Sequence, residues 1–199
     1  MKETKEHIRS ISFRLFLQKS FKEVTMQEIV DKTGMSKGAF YHYYKSKEEI
    51  FLEVLDSAFS SIINIDYSGF SKDSLYDFYH DYIAFLNRKY VEFQGLYEGS
   101  DSFDLNYYSL IFDGIRLFPE FKRKMVDSTR VELDSWRRIV HTARKMGEIE
   151  SPMNNDQIAM IFINTSGGIG MNDMIAGATE DTTKSMLALW NAFYGQIKK

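Results

Sequence analysis

The stretch that decides the fold runs from Thr25 to Ile50, TMQEIVDKTGMSKGAFYHYYKSKEEI. It holds two capping boxes. In Thr25-Met26-Gln27-Glu28 the threonine hydroxyl can accept a backbone N–H of the first helical turn while the glutamate reaches back. Ser46-Lys47-Glu48-Glu49 repeats the pattern, and Ser36 supplies a third N-cap. Gly34 gives the tight stop between the first two helices. The buried face of the first is Met26, Ile29 and Val30. Two short helices joined by Thr33-Gly34-Met35 have the form of a helix-turn-helix.

The second helix of the pair carries five rings in a row, Phe40-Tyr41-His42-Tyr43-Tyr44. Phe40 and Tyr44 are four residues apart and share a face, which predicts that both turn inward. Lys37, Tyr41 and His42 then project elsewhere, with Tyr43 at the edge. Tyrosine and histidine beside lysine are good donors to phosphates and base edges. Such a helix can enter a major groove about 12 Å wide. The Thr25 backbone N–H stands at a helix N-terminus, where anions are favoured, and Lys47 opens the next helix within reach of the same strand.

Outward from this motif the apolar residues keep helical spacing. Ile8, Ile11, Leu15 and Phe16 predict a first helix over about 4–20. Ile50, Phe51, Val54, Leu55, Ala58, Phe59 and Ile62 line the fourth. Further helices are predicted over about 71–89, 106–117, and from Pro119 to Met146, with a loop or broken helix at 95–106. Proline suits the first turn of a helix. A final pair covers about 155–177 and 181–197. The chain therefore reads as all-α, with about nine or ten helices. Its expected division is a DNA-binding domain at 1–50 and a helical body at 51–199.

The 199 residues include no cysteine, so disulfides and thiolate metal sites are excluded. The four histidines, His7, His42, His80 and His141, are scattered, so no metal site is expected. Apolar runs reach six residues, as at Ile158 to Ile163, far short of a membrane span. No signal-peptide pattern opens the chain, and a cytoplasmic protein is expected. Net charge is −3. Residues 1–50 hold 10 Lys and Arg against 7 Asp and Glu, a net +3, and the remainder holds 15 against 21, a net −6. A basic N-terminal piece on an acidic body suits an anionic partner for the first piece.

Residues 25–50, with their caps, spacing and residue types, closely resemble the N-terminal domain of tetracycline-repressor-type (TetR/AcrR) regulators. The resemblance covers about residues 4–52, and Lys145-Met146-Gly147-Glu148-Ile149 before the last two helices is similar too. Ala39 stands where many members carry threonine, leaving a methyl that could meet thymine. Tyr44 stands where many carry phenylalanine. The resemblance implies a homodimeric repressor whose first three helices bind a double-stranded DNA operator and whose C-terminal helices form a ligand pocket and the dimer interface. Carried onto this sequence, Lys37, Ala39 and His42 are base readers. Thr25, Ser36, Tyr41, Tyr43 and Lys47 are phosphate contacts. A dimer would place two recognition helices about 34–36 Å apart, so the operator should be a near-palindrome. The fourth helix is the natural lever between ligand and DNA.

In the body, Phe59, Tyr82, Tyr107, Phe112 and Trp136 are candidates to line a cavity for a small, mostly apolar or aromatic effector. Ile161, Thr165, Trp190, Phe193 and Ile197 are candidates for a four-helix dimer interface. Thr165-Ser166-Gly167-Gly168-Ile169-Gly170 is no phosphate loop, because no strand precedes it. Glycines here would instead permit close helix approach. No nucleophile and base have defined spacing, so neither catalytic residues nor a cofactor are expected. The competing reading is a helical small-molecule-binding protein or enzyme that does not use DNA. It leaves the arrangement of Lys37, Tyr41 and Lys47 unexplained.

Overall fold

The computed structural model describes residues 2–63, 65–94, 103–177 and 181–199. Among them run nine α-helices and no strand. They are α1 (Lys2–Gln18), α2 (Met26–Thr33), α3 (Lys37–Tyr43), α4 (Lys47–Ile63), α5 (Leu75–Gln94), α6 (Phe103–Leu117), α7 (Pro119–Lys145), α8 (Asn155–Ala176) and α9 (Thr182–Ile197). A one-turn 3-10 helix, Tyr67–Gly69, precedes α5. The all-α reading holds. The expected loop at 95–106 lies largely outside the described residues, and α6 begins at Phe103, earlier than its apolar spacing suggested.

The caps set the ends of the short helices. Thr25 Oγ accepts from Glu28 N at 3.2 Å, Ser36 Oγ from Ala39 N at 3.3 Å, and Ser46 Oγ from Glu49 N at 3.2 Å. Glu28 reaches back to the Thr25 backbone N–H as the box expects and also takes a lysine, while Glu49 is used elsewhere. Lys19 Nζ donates to Glu28 Oε1 at 2.5 Å, and this contact leads the causes that lower the Glu28 pKa. Glu49 Oε2 accepts from Lys45 N. Gly34 ends α2 with φ +69°, a backbone that side chains rarely tolerate.

The chain packs as two compact units. The first draws on Met1–Asn64 and Ser100–Val126, the second on Ile65–Gly99 and Asp127–Lys199. A domain boundary at residue 50 therefore passes through α4, which packs with α1 and α6.

In the first unit, Phe51 is the hub. Its ring lies 4.6 Å from Phe21, 4.9 Å from Phe16 and 5.3 Å from Phe118. Such ring pairs add to area burial when offset or edge-on. Gly114 on α6 has a specific steric role. A Cβ there would lie 2.8 Å from both Leu55 Cδ1 and Phe121 Cδ1, so only the missing side chain lets α6 sit this close to α4.

In the second unit, Trp136 of α7 is fully buried among Phe78, Tyr82, Phe162 and Trp190, with centroids 4.8–5.5 Å away. Glu148 ties the unit together. Its carboxylate accepts from Leu75 N and Tyr76 N at 2.9 Å, Ser74 Oγ at 3.1 Å and Tyr194 Oη at 3.0 Å. It thereby satisfies the open N–H groups that begin α5, where negative charge is favoured, and holds α9 to that end.

Glu132, also on α7, is placed less favourably. Burial raises its pKa above the ordinary carboxylate value of 4.5. The Tyr82 hydroxyl, donating at 3.2 Å, and the nearby Tyr67 hydroxyl act against that rise. A carboxyl whose pKa is raised by folding loses stability for the fold as pH climbs from its unfolded value through its folded one. Glu132→Gln should therefore melt at a higher temperature than the parent at pH 8, with the difference narrowing as pH falls toward 4.5. Thermal unfolding followed by circular dichroism across that range checks this, and a pH-independent difference contradicts it.

Candidate DNA interface

The interface is built on α3, seven residues long between Ser36 and Tyr44. Phe40 is fully buried and Tyr44 retains 2% of its surface, so both rings anchor the helix in the first unit. Lys37, Gly38, Ala39 and His42 are exposed, and Tyr41 and Tyr43 are half-exposed. The helix thus shows one face to the core and presents the other, short of apolar bulk, to solvent. His42 stands edge-on to Tyr43 at 5.6 Å, which orders the two rings side by side.

The Tyr44 hydroxyl is buried without a hydrogen-bond partner in the protein. Burial first, and then the neighbouring Glu53 carboxylate, push its pKa well above the ordinary tyrosine value. Lys5 Nζ lies 5.1 Å above the same ring. Tyr44 is therefore a packing residue held neutral, and it takes no part in the presented surface.

Thr25 is exposed at the start of α2. Its oxygen already accepts from Glu28 N, so its hydroxyl proton is left to donate outward. Ser36 is exposed and uses its oxygen the same way on Ala39 N. The first N–H groups of α2 add the positive end of that helix to the same surface.

Lys47 departs from its expected role. Its ammonium donates to Phe21 O and Val24 O, both at 2.7 Å, and sits 4.4 Å over the Phe21 ring. The side chain is half-buried and staples the turn that leads into α2. One N–H remains for a phosphate, so the first duty of Lys47 is internal. A second basic residue escaped the sequence reading. Lys45 Nζ donates to the Tyr41 carbonyl in the last turn of α3. Its signal was a cation just past a helix C-terminus, where carbonyls lack partners.

Residues 8–54 match the family model of bacterial regulatory proteins of the tetR family. Over this stretch, about a quarter of the chain, the protein is similar to the N-terminal domain of that family. In Bacillus subtilis, the HTH-type transcriptional regulator YerO is 48% identical over 56 residues, which make up 28% of this chain and 19% of YerO. The match therefore spans about a fifth of that relative's length. The similarity to the Staphylococcus aureus regulator IcaR, named as a negative transcriptional regulator of the biofilm operon icaADBC, is longer and weaker. It is 22% over 165 residues, covering 73% of this chain and 89% of IcaR. SmeT, the repressor of the Stenotrophomonas maltophilia multidrug efflux pump SmeDEF, shares the fold. It has TM-score 0.66 and 17% identity, covering 98% of this chain and 90% of SmeT.

The candidate ligand-pocket residues are divided between the two units. Phe59 is buried in the first unit against Phe121, and Phe112 of the same unit is 57% exposed. Tyr82 and Trp136 are core residues of the second unit. The Tyr107 side chain lies outside the described residues. A cleft of about 540 Å³ among the described residues of the second unit is lined by none of the five. Spacing alone could not separate core aromatics from cavity aromatics.

The dimer candidates divide similarly. Trp190 and Ile197 are buried within this chain and leave no surface for a partner. Trp190 Nε1 donates to Thr165 Oγ1 at 2.9 Å, so Thr165 is also committed internally. Ile161 and Phe193 are half-buried. Exposed on the same two helices are Met160, Gly167, Gly168 and Ile175 of α8 and Leu189 of α9. A Cβ at Gly167 or Gly168 would meet nothing within 4 Å, so these glycines serve no close approach inside the chain. No helix is long and apolar enough to cross a membrane, and no three metal-ligating side chains group together, among the described residues.

Lys47→Met keeps the chain's bulk and removes both bonds to the turn. Hydrogen bonds from a charged donor contribute about 1.5–3 kcal/mol, so the variant should lose roughly that much stability in urea unfolding. An unchanged unfolding midpoint together with lost DNA affinity would make Lys47 a phosphate contact alone.

Proposed function

We propose that the protein is a homodimeric, ligand-released transcriptional repressor of the TetR type, acting on a near-palindromic operator in the cytoplasm. The observation that carries this is the surface of α3. A seven-residue helix buries Phe40 and Tyr44 and presents Lys37, Ala39 and His42 to solvent, flanked by Tyr41 and Tyr43. Regulation of this kind, rather than catalysis, accounts for that face.

Lys37, Ala39 and His42 are positioned to meet base edges. Thr25, Ser36, Tyr41 and Tyr43 offer hydroxyls to phosphates on either side. The names of IcaR, a negative regulator, and SmeT, a repressor that has also been captured with triclosan, favour repression relieved by a small molecule. Release then follows if the ligand binds better to conformations in which α3 is misplaced for the groove, since differential affinity alone shifts the population.

The dimer face proposed here is the exposed side of α8 and α9. Met160, Gly167 and Ile175 recur at seven and eight residues, which places them on one side of α8. Leu189 of α9 is exposed as well, and the open space at Gly167 leaves room for close helix approach. Leu189→Glu should convert the dimer to a monomer in light-scattering chromatography while leaving the helical content unchanged.

The direct test is fluorescence anisotropy with duplex DNA from upstream of the protein's own gene. Binding should weaken steeply with salt. Tyr43→Phe should lose about 1 kcal/mol on every sequence, because it removes one phosphate donor. Lys37→Ala should also flatten the preference among sequences. Binding that is insensitive to both substitutions and to salt contradicts the assignment.

A further inference from the structure

The cleft in the second unit has a chemical character that no assignment above uses. It lies between the segment from Ile65 to Lys72 and one side of α7, with a volume of about 540 Å³. That size suits a small organic molecule. Its inner walls are apolar, with Tyr67, Phe78 and Ile139 among them. Two cations, Lys72 and Arg138, also line it.

Neither cation is locked in an ion pair among the described residues, although Lys72 is near enough to Asp66 for its charge to help lower that carboxyl's pKa. Elsewhere on α7, Arg130 pairs with Asp127, and Arg137 pairs with both Asp134 and Asp156. Arg138 instead donates to the Ser135 hydroxyl at 3.0 Å, another residue of the cleft. Neither Lys72 nor Arg138 has a carboxylate at ion-pair distance among the described residues. The one acid in the lining, Asp66, is occupied by Ser68 N at 2.9 Å, where it caps the 3-10 turn. Glu132 is not in the lining, and its oxygen takes the Tyr82 hydroxyl.

We propose that this cleft binds a small amphipathic anion, an aliphatic or aromatic carboxylate whose acid group meets Lys72 and Arg138 and whose apolar body lies against Tyr67, Phe78 and Ile139. An apolar wall edged by two exposed cations discriminates among analogues. A neutral analogue forgoes the charge-assisted contact, and a cation is repelled. Guanidinium suits a carboxylate because its planar donors can meet both oxygens. As the identity of the effector, the proposal rests on the ligand-released reading given above; as a binding site, it stands on the cleft alone.

The test uses two matched probe sets on the intact protein, by isothermal titration calorimetry. One set is decanoate, decanamide and decyltrimethylammonium. The other is 2-naphthoate, 2-naphthamide and 2-naphthylmethylammonium. At least one carboxylate should bind, with its amide weaker by roughly tenfold, as loss of a charge-assisted contact implies. Lys72→Ala and Arg138→Ala should each weaken the acid and leave the amide unchanged. Arg138→Lys should restore part of the loss, and far-ultraviolet spectra should stay those of the parent. No binding by either acid, equal binding of acid and amide, or indifference to both substitutions overturns the proposal. Operator release is read separately by anisotropy. Acid binding without release leaves the cleft assignment standing and removes the effector reading. Release by a ligand indifferent to Lys72 and Arg138 upholds the ligand-released function and overturns the cleft as the effector site.

Discussion

Phe21 is held from three directions, and the DNA-facing surface depends on it. Its N–H donates to Asp113 Oδ2 of α6 at 3.2 Å. Its carbonyl accepts from Lys47 Nζ of α4 at 2.7 Å. Its ring packs between Phe51 and Phe118, at 4.6 and 5.5 Å. Asp113 is 7% exposed, so this is a buried contact between a carboxylate and a backbone N–H. Asp113 also pairs with Arg116, so breaking the contact strands the buried Phe21 N–H rather than the carboxylate, and an unsatisfied donor costs more than the bond itself contributes. The turn from Lys19 to Val24 is thereby fixed to α4 and α6, and α2 begins two residues later. Because Gly34 then reverses the chain tightly, the placement of α3 follows from the placement of this turn.

The division of labour within α3 follows from the same constraint. A helix of seven residues has few side chains to spend on anchoring, and Phe40 with Tyr44 take that task by full burial. The remaining positions need not be apolar, which is why lysine, alanine and histidine can occupy them. Exposed polar groups cost little here because water satisfies them until another partner does. The rings at Phe40 to Tyr44, which look like surplus hydrophobicity in sequence, are a buried pair interleaved with a presented set.

What could be read from the chain was what is local. Caps at Thr25, Ser36 and Ser46, the stop at Gly34 and the helical spacing of apolar residues act over three or four residues, and each has its counterpart in the structure. What could not be read was what depends on distant partners. Lys47 reads in sequence only as a cation at a helix start, since nothing in its neighbourhood shows that the Phe21 and Val24 carbonyls will meet it. Trp190 and Ile197 were assigned to an interface because an amphipathic stripe looks the same whether it faces its own chain or another. The cleft between the 65–72 segment and α7 joins residues some sixty positions apart, and no spacing rule reaches that far.

The central claim is that α3, held by Phe40, Tyr44 and the turn at Phe21, reads DNA sequence as one half of a two-fold pair. Selection from a pool of random duplexes, with the purified protein and its Lys37→Ala variant run in parallel, tests this most directly. The account predicts enrichment of a near-palindrome whose half-site centres lie about one helical turn apart, with changed base preference in the variant at symmetric positions. Enrichment of no sequence, or of the same sequence by both proteins, would contradict it.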